Sequence, residues 1–159
     1  MSVRCQVLAV LLLAASPAVG DTLAVFPFEL INTSMEPTRP DEEARLQQLD
    51  AQLREALRGQ GHEIAGLAPV AGELAGIGSL RACNGCELDL AARLGAGRAV
   101  LGWVQKVSNL ILNVNLQVRE VPGGRLLGGG SADIRGNTDQ SWQRGLRSLL
   151  RRDVLRTEE

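Results

Sequence analysis

The chain has 159 residues, 45% of them hydrophobic, with 17 basic and 18 acidic side chains and a net charge of −1. So even a balance gives no basic face and argues against nucleic acid as a partner. Two Phe, two Trp and no Tyr leave little with which to line an aromatic ligand pocket.

Residues 1–20 carry Arg4, the apolar run Val7–Ala15 and the small residues Ala18 and Gly20, which is the arrangement of a secretory leader cut before Asp21. The run falls well short of the ~20 apolar residues that span a bilayer. Cys5 precedes it, where a lipid-modified cysteine would follow. The expected product is residues 21–159, free in the periplasm or outside the cell and without a membrane span. It forms a single domain, and its net charge is −2 because the leader removes one basic residue. A chain of that size buries about two-thirds of its unfolded surface.

Thr22–Phe28 is a short apolar run with β-branched members, as in a strand buried on both faces, and Pro27 limits its pairing. Glu29–Pro40 has no period and reads as a loop. From Asp41 a helical stripe of Leu46, Leu49, Leu53, Ala56 and Leu57 appears, with Arg45, Gln48, Arg54 and Glu55 on the side expected to face water. Pro40 suits the first helical position, and Gly59 and Gly61 stop the helix. His62–Ala65 reads as a brief strand, and the glycine-rich Gly66–Gly78 has room for one helical turn after Pro69. Glu87–Leu94 is a helix, Ala99–Val104 an interior strand, and Leu112–Arg119 a strand of strict period two. Pro122-Gly123-Gly124 makes a hairpin turn into Arg125–Ile134, where Gly128–Gly130 predicts a bulge or a strong twist. Asn137 or Thr138 caps a last helix whose apolar face is Trp142, Leu146, Leu149, Leu150 and Val154. The fold class predicted is α/β (α+β): a single mixed sheet of four to five strands with three helices mainly on one face, in the order β-α-β-α-β-β-β-α.

Cys83 and Cys86 are the two thiols outside the leader. In an oxidising compartment they pair most simply as a disulfide, yet C-x-x-C at a helix N-terminus is also the spacing of thiol redox proteins. A metal site would need two further ligands, and His62 is the one histidine. No dinucleotide fingerprint or phosphate loop is present, since the glycine clusters do not join a strand to a helix at the required spacing. Neither catalytic residue, cofactor nor metal is therefore expected. The candidates for recognition are polar residues at loops: Thr33 and Ser34, then Lys106, Ser108 and Asn109 between two strands, and Arg135, Asn137 and Asp139 before the last helix. If these converge at one end of the sheet, a lysine, an arginine and a helix N-terminus would suit an acidic group on a protein partner. As rim residues, Lys106 and Arg135 would tune binding and leave stability nearly unchanged.

Several strings carry a resemblance. They are Phe28-Glu29-Leu30 with Thr33-Ser34, Cys83-x-x-Cys86-Glu87, Leu94-Gly95-Ala96, Gly102-x-Val104-x-Lys106-Val107-Ser108-Asn109-Leu110-Ile111-Leu112, and Asp133-Ile134-Arg135-Gly136-Asn137-Thr138-Asp139-x-Ser141-Trp142. The chain resembles a family of small exported bacterial proteins of unknown function, and Glu120 and Pro122 depart from its pattern at the hairpin. The resemblance implies a fold like the amino-terminal domain of TolB and the core of CsgG-type secretion proteins. It also implies an accessory role beside pyrroloquinoline-quinone alcohol or methanol dehydrogenases, without a catalytic residue. The function expected is thus an exported accessory or assembly protein that binds a periplasmic protein; the alternative is a redox protein working through Cys83 and Cys86.

Overall fold

The computed structural model describes residues 22–152; the leader, its cleavage site and Val154 lie outside them. The chain begins with β1 (Thr22–Val25) and, after Phe26-Pro27-Phe28, continues as β2 (Glu29–Asn32). Both run parallel along one edge of β4 (Arg98–Lys106), with Val25 opposite Val100 and Glu29 opposite Trp103. Three residues thus face two, and Pro27, which has no N–H to donate, sits in the bulge. The extra residue reverses side-chain parity. Leu23 and Val25 before it share a cluster with Phe28 after it, while Phe26 packs on the opposite side. The Phe28 ring lies against Gly102 so closely that a Cβ there would come within 2.5 Å of it.

β2 corrects the loop expected at Glu29–Pro40. Four residues have little strand character alone, but β4 outruns β1 and offers them a free edge. The helix α1 (Pro40–Gly59) returns the chain to β3 (Glu63–Ile64), parallel to β1. A 3-10 turn (Ala68–Val70), the short helix α2 (Ala71–Gly76) and α3 (Cys86–Arg93) precede β4. Then β5 (Ile111–Glu120) and β6 (Leu126–Arg135) complete the sheet as antiparallel neighbours, and α4 (Asp139–Arg151) closes the described chain. The spatial order is β3-β1-β4-β5-β6, which leaves β6 at an edge, and the register slips between Val118 and Arg119, where Leu127 is the extra residue just before the glycine run.

This is the mixed α/β sheet expected, with β2 and α2 added. The long helices α1 and α4 share one face, packing Leu49, Leu53, Leu57, Trp142, Leu146 and Leu149 on Val100, Val104 and the even-numbered side chains of β5. The third expected helix, α3, goes to the other face: Leu90 and Ala91 pack with Ala24, Phe26, Ala99 and Leu101, positions that alternate with the first set. Gly145 lets α4 approach the sheet, since a Cβ there would meet Ile134 at 2.7 Å.

Asp50 of α1 ties the bulge to the helix by accepting the Phe28 N–H at 2.8 Å. Burial pushes its carboxyl up to about 6, against the opposing pull of that N–H and of Arg54. A carboxyl raised in the native state binds its proton there in preference to the unfolded chain. Between about pH 4 and 6 this group therefore adds stability as pH falls. Asp50→Asn keeps an oxygen for Phe28 and removes the titration. Denaturant titrations should show wild type gaining on the variant from about pH 6.5 to about pH 4.5; a pH-independent difference contradicts this.

Candidate functional site

The polar residues singled out by sequence do converge, at the end of the sheet where β2, β4 and β6 finish and β5, α1 and α4 begin. Thr33 is joined to the end of β4, its N–H and Oγ1 both donating to the Lys106 carbonyl at 2.9 and 3.1 Å. Ser34 folds its own loop through bonds to Asn32 and Glu36. Ser108 shapes the β4–β5 turn by accepting the Leu110 and Ile111 N–H groups. Thr138, not Asn137, caps α4, accepting the Ser141 N–H.

Lys106 departs furthest from expectation. It is fully buried, and its Nζ lies 2.6 Å from Glu42 Oε1, whose own residue is 0% exposed, and 3.7 Å from Glu36. Strand parity accounts for this. Lys106 shares the face of Val100 and Val104, beneath the start of α1, so its ammonium points inward to the buried Glu42 carboxylate, with Glu36 farther off. Glu42 also accepts the Arg39 N–H at 2.9 Å and an Asn137 N–H at 2.5 Å. Burial alone would raise its carboxyl. The hydrogen bonds from Lys106, Arg39 and Asn137, with the lysine's charge, outweigh that and hold it below the usual range.

Asn137 is the junction of this network. Its amide donates to Glu42 and to Asn109 Oδ1, and its carbonyl oxygen accepts from Trp142 Nε1 at 2.9 Å and Arg45 Nη1 at 3.1 Å. Arg45, expected to face water, is buried instead. Its Nε and Nη2 bind Asp139 and Asp41 at 2.6 and 2.9 Å, and its guanidinium lies over the Trp142 ring. Asn109 reaches across to the Glu36 carboxylate, lacing the β2–α1 loop to the β4–β5 turn. Arg135 is not in this network but stands exposed at the end of β6, opposite Ile111.

Apolar side chains are exposed on the loops that this network ties together. Met35 on one laced loop and Val107, Leu110 and Ile111 on the other are exposed, with Met35 and Leu110 at 102% and 71%. These four are most of the large hydrophobic side chains exposed among the described residues; the fifth, Leu126, is at the far end of β6. Nothing in sequence patterning separates them from core residues, since Val107, Leu110 and Ile111 continue the apolar runs of the flanking strands. The lysine expected to meet an acidic partner is unavailable, and the end of the sheet offers apolar knobs fixed on a hydrogen-bonded base.

On the opposite face, Cys83 and Cys86 form a disulfide. It closes the loop before α3, with Asn84 and Gly85 both at positive φ. Beside it lies a cavity of about 440 Å³ bordered by Arg81, Trp103, Glu87, Gln117 and Arg119. Arg81 stacks on Trp103 at 4.3 Å, and the buried Glu87 binds Arg119 at 2.5 Å. Glu87 Oε2 is 3.6 Å from Cys83 Sγ, but the two sulfurs are bonded to each other and so are not free to bind a metal with it. The odd-numbered side chains of β5, expected on a wet face, are half-covered here, and Asn115 is buried. A ring closed by so few residues stabilises by about 2 kcal/mol at most. Replacing Cys83 and Cys86 by serine should cost no more than that in a denaturant titration and leave the domain folded. Wild type should resist alkylation until reduced; an unfolded double variant contradicts this.

Fold and site together define a small mixed-sheet domain with a laced polar end bearing an apolar tip. The chain belongs to the family described as "Protein of unknown function (DUF2380)", whose profile matches residues 21–154. This agrees with the resemblance read from the strings above to a family of unknown function. No curated protein matches the chain by sequence. Among solved structures it is similar to the LpoB C-terminal domain from Salmonella enterica, with 16% identity and a TM-score of 0.54 over 77% of this chain and 87% of that one. Lipoprotein GNA1162 from Neisseria meningitidis gives 16% and 0.56 over 88% and 100%. PelC from Paraburkholderia phytofirmans, solved as a dodecamer, gives 16% and 0.54 over 89% and 91%. At these identities the likeness is one of fold. No helix among the described residues is long and apolar enough to cross a membrane.

Proposed function

We propose that this protein is an exported, non-catalytic accessory module that holds another envelope protein against the tip formed by Met35, Val107, Leu110 and Ile111. The observation that carries this reading is the pairing of exposed apolar side chains with a rigid, fully bonded base. Apolar knobs rimmed by polar groups mark protein contact surfaces, and pre-ordering their loops lowers the entropy cost of association. Of the proteins sharing this fold, one is a lipoprotein and one assembles as a dodecamer, which fits use of the fold in envelope assemblies. The resemblance to a family met beside quinoprotein dehydrogenase genes supplies the partner to try first, a periplasmic pyrroloquinoline-quinone alcohol dehydrogenase. The test is affinity capture of that enzyme by the tagged protein, compared with the same protein carrying Leu110→Asp. Retention by wild type and loss by the variant supports the reading; equal retention moves the contact elsewhere.

The alternative is a redox protein, and Cys86 as the first residue of α3 speaks for it, because a helix N-terminus favours a thiolate. The Glu87 carboxylate beside Cys83 works in the opposite direction, so the accessory reading treats the disulfide as structural. Export requires cleavage before Asp21. The intact mass of secreted protein should correspond to residues 21–159, and soluble exported material retaining residues 1–20 would end that part of the account.

A further inference from the structure

The edge strand β6 and the helix α4 border a groove of about 350 Å³ that adjoins the tip at Arg135, the register partner of Ile111. Arg135, Arg144, Arg151 and Arg152 line it, with Asp133 as its acidic residue. Arg135, Arg144 and Arg151 are exposed at the surface. In a chain of net charge −1 this gathers cations where composition gives no hint of them.

The backbone beside the arginines is also available. Arg152 Nη1 donates to the Ser131 carbonyl at 3.3 Å, so that peptide group points away from β5. The Gly136 N–H, by contrast, bonds to the Leu110 carbonyl on the β5 side. Alternation along an antiparallel strand then turns the peptide groups of Asp133 and Arg135 outward with that of Ser131, and β6 has no further strand partner among the described residues. An unpaired edge of this kind is a template for another strand.

We propose that this groove binds an extended acidic segment of another exported protein, which adds to β6 as a strand while its carboxylates meet Arg144 and Arg151. Charge selects this occupant. A second copy of the chain, paired edge to edge, would set arginines against arginines, whereas alternating carboxylates on an added strand meet guanidinium groups that bind them in bidentate pairs.

The experiment uses the exported chain and a short fluorescent peptide of alternating Glu and Val, measured by anisotropy at low salt. A Lys-Val peptide and an N-methylated Glu-Val peptide, which cannot pair as a strand, serve as controls. The Glu-Val peptide should bind, and Arg144→Ala with Arg151→Ala should weaken it about tenfold or more without changing the melting temperature. N-methylation should weaken it to a similar degree, Leu110→Asp should leave it unchanged, and binding should protect the Ser131, Asp133 and Arg135 amides from exchange. Equal binding by the N-methylated peptide, or equal competition by inorganic phosphate, overturns strand addition. Binding to phosphatidylglycerol vesicles but not to the peptide assigns the groove to a lipid surface and overturns it too. Absence of binding, with the arginine variants self-associating, makes these residues guards of an open edge and refutes the proposal. Because Leu110 is on the β4–β5 turn and the tested arginines Arg144 and Arg151 are on α4, failure of this inference and failure of the tip reading give different results.

Discussion

Replacing Lys106 with alanine should lower stability by about 3–5 kcal/mol, the cost of leaving one member of a buried ion pair without the other. Domains of this size have roughly 5–15 kcal/mol in total, so the variant should fold marginally or melt well below wild type. The physical source is Glu42. It is fully buried and would keep hydrogen bonds from Arg39 and Asn137 but lose the countercharge that makes an ionised carboxylate tolerable there. Pairing Lys106→Met with Glu42→Gln removes both charges, although Arg39 and Asn137 donate to different carboxylate oxygens and the single amide oxygen can serve one of them. The double variant should therefore recover part of the loss, by denaturant titration of the single and double variants together. Equal destabilisation by the single and double variants contradicts the buried-pair account. A Lys106→Ala change within about 0.5 kcal/mol of wild type would return the residue to the surface.

The second large effect falls on binding. Leu110→Asp and Met35→Asp place charge at the centre of the apolar tip. Each should weaken the complex by about 2 kcal/mol or more, roughly thirtyfold in Kd, through slower-forming and faster-dissociating contacts. Stability should stay within about 0.5 kcal/mol, since both side chains are exposed and neither joins the network beneath. Titration calorimetry on the captured partner, beside a melting curve, separates the two quantities. Variants that bind as wild type, or that lose binding only by unfolding, remove the tip from the account.

Much of the architecture was legible because its signals are local. The period of two from Leu112 to Val118 and the leucine stripe of α1 form as sequence predicts, and α4 is capped by Thr138, one of the two candidates. β2 was hidden because its four residues depend on the free length of β4, a long-range fact. The apolar face of α3 was visible, but periodicity within a helix does not say which side of a sheet it will cover.

At the site, sequence brought the right loops together and misjudged two of their charges. Lys106 continues the alternation of Val100, Gly102 and Val104, and Arg45 and Glu42 continue the stripe of Leu49 and Leu53 toward the helix start. Both patterns are readable, but a charged side chain is ordinarily exposed. That rule fails where two opposite charges on separate elements are buried together. In the basic groove at β6, Arg144 and Arg151 share a face of α4 at a spacing readable in sequence, whereas the fold alone brings Arg135 beside them.

The claim on which the account turns is that the exposed tip is where a partner sits. Its most direct test is a photoreactive amino acid placed at Leu110 in the exporting cell. The control is the same group at Gln60, beyond the far end of α1 and separated from the tip by the length of that helix, ~30 Å at 1.5 Å per residue. The account predicts one discrete crosslinked protein from Leu110 that is absent from Gln60 and is lost when Met35→Asp is introduced. Identical crosslinks from both positions, or a partner captured from Gln60 and not from Leu110, would contradict it.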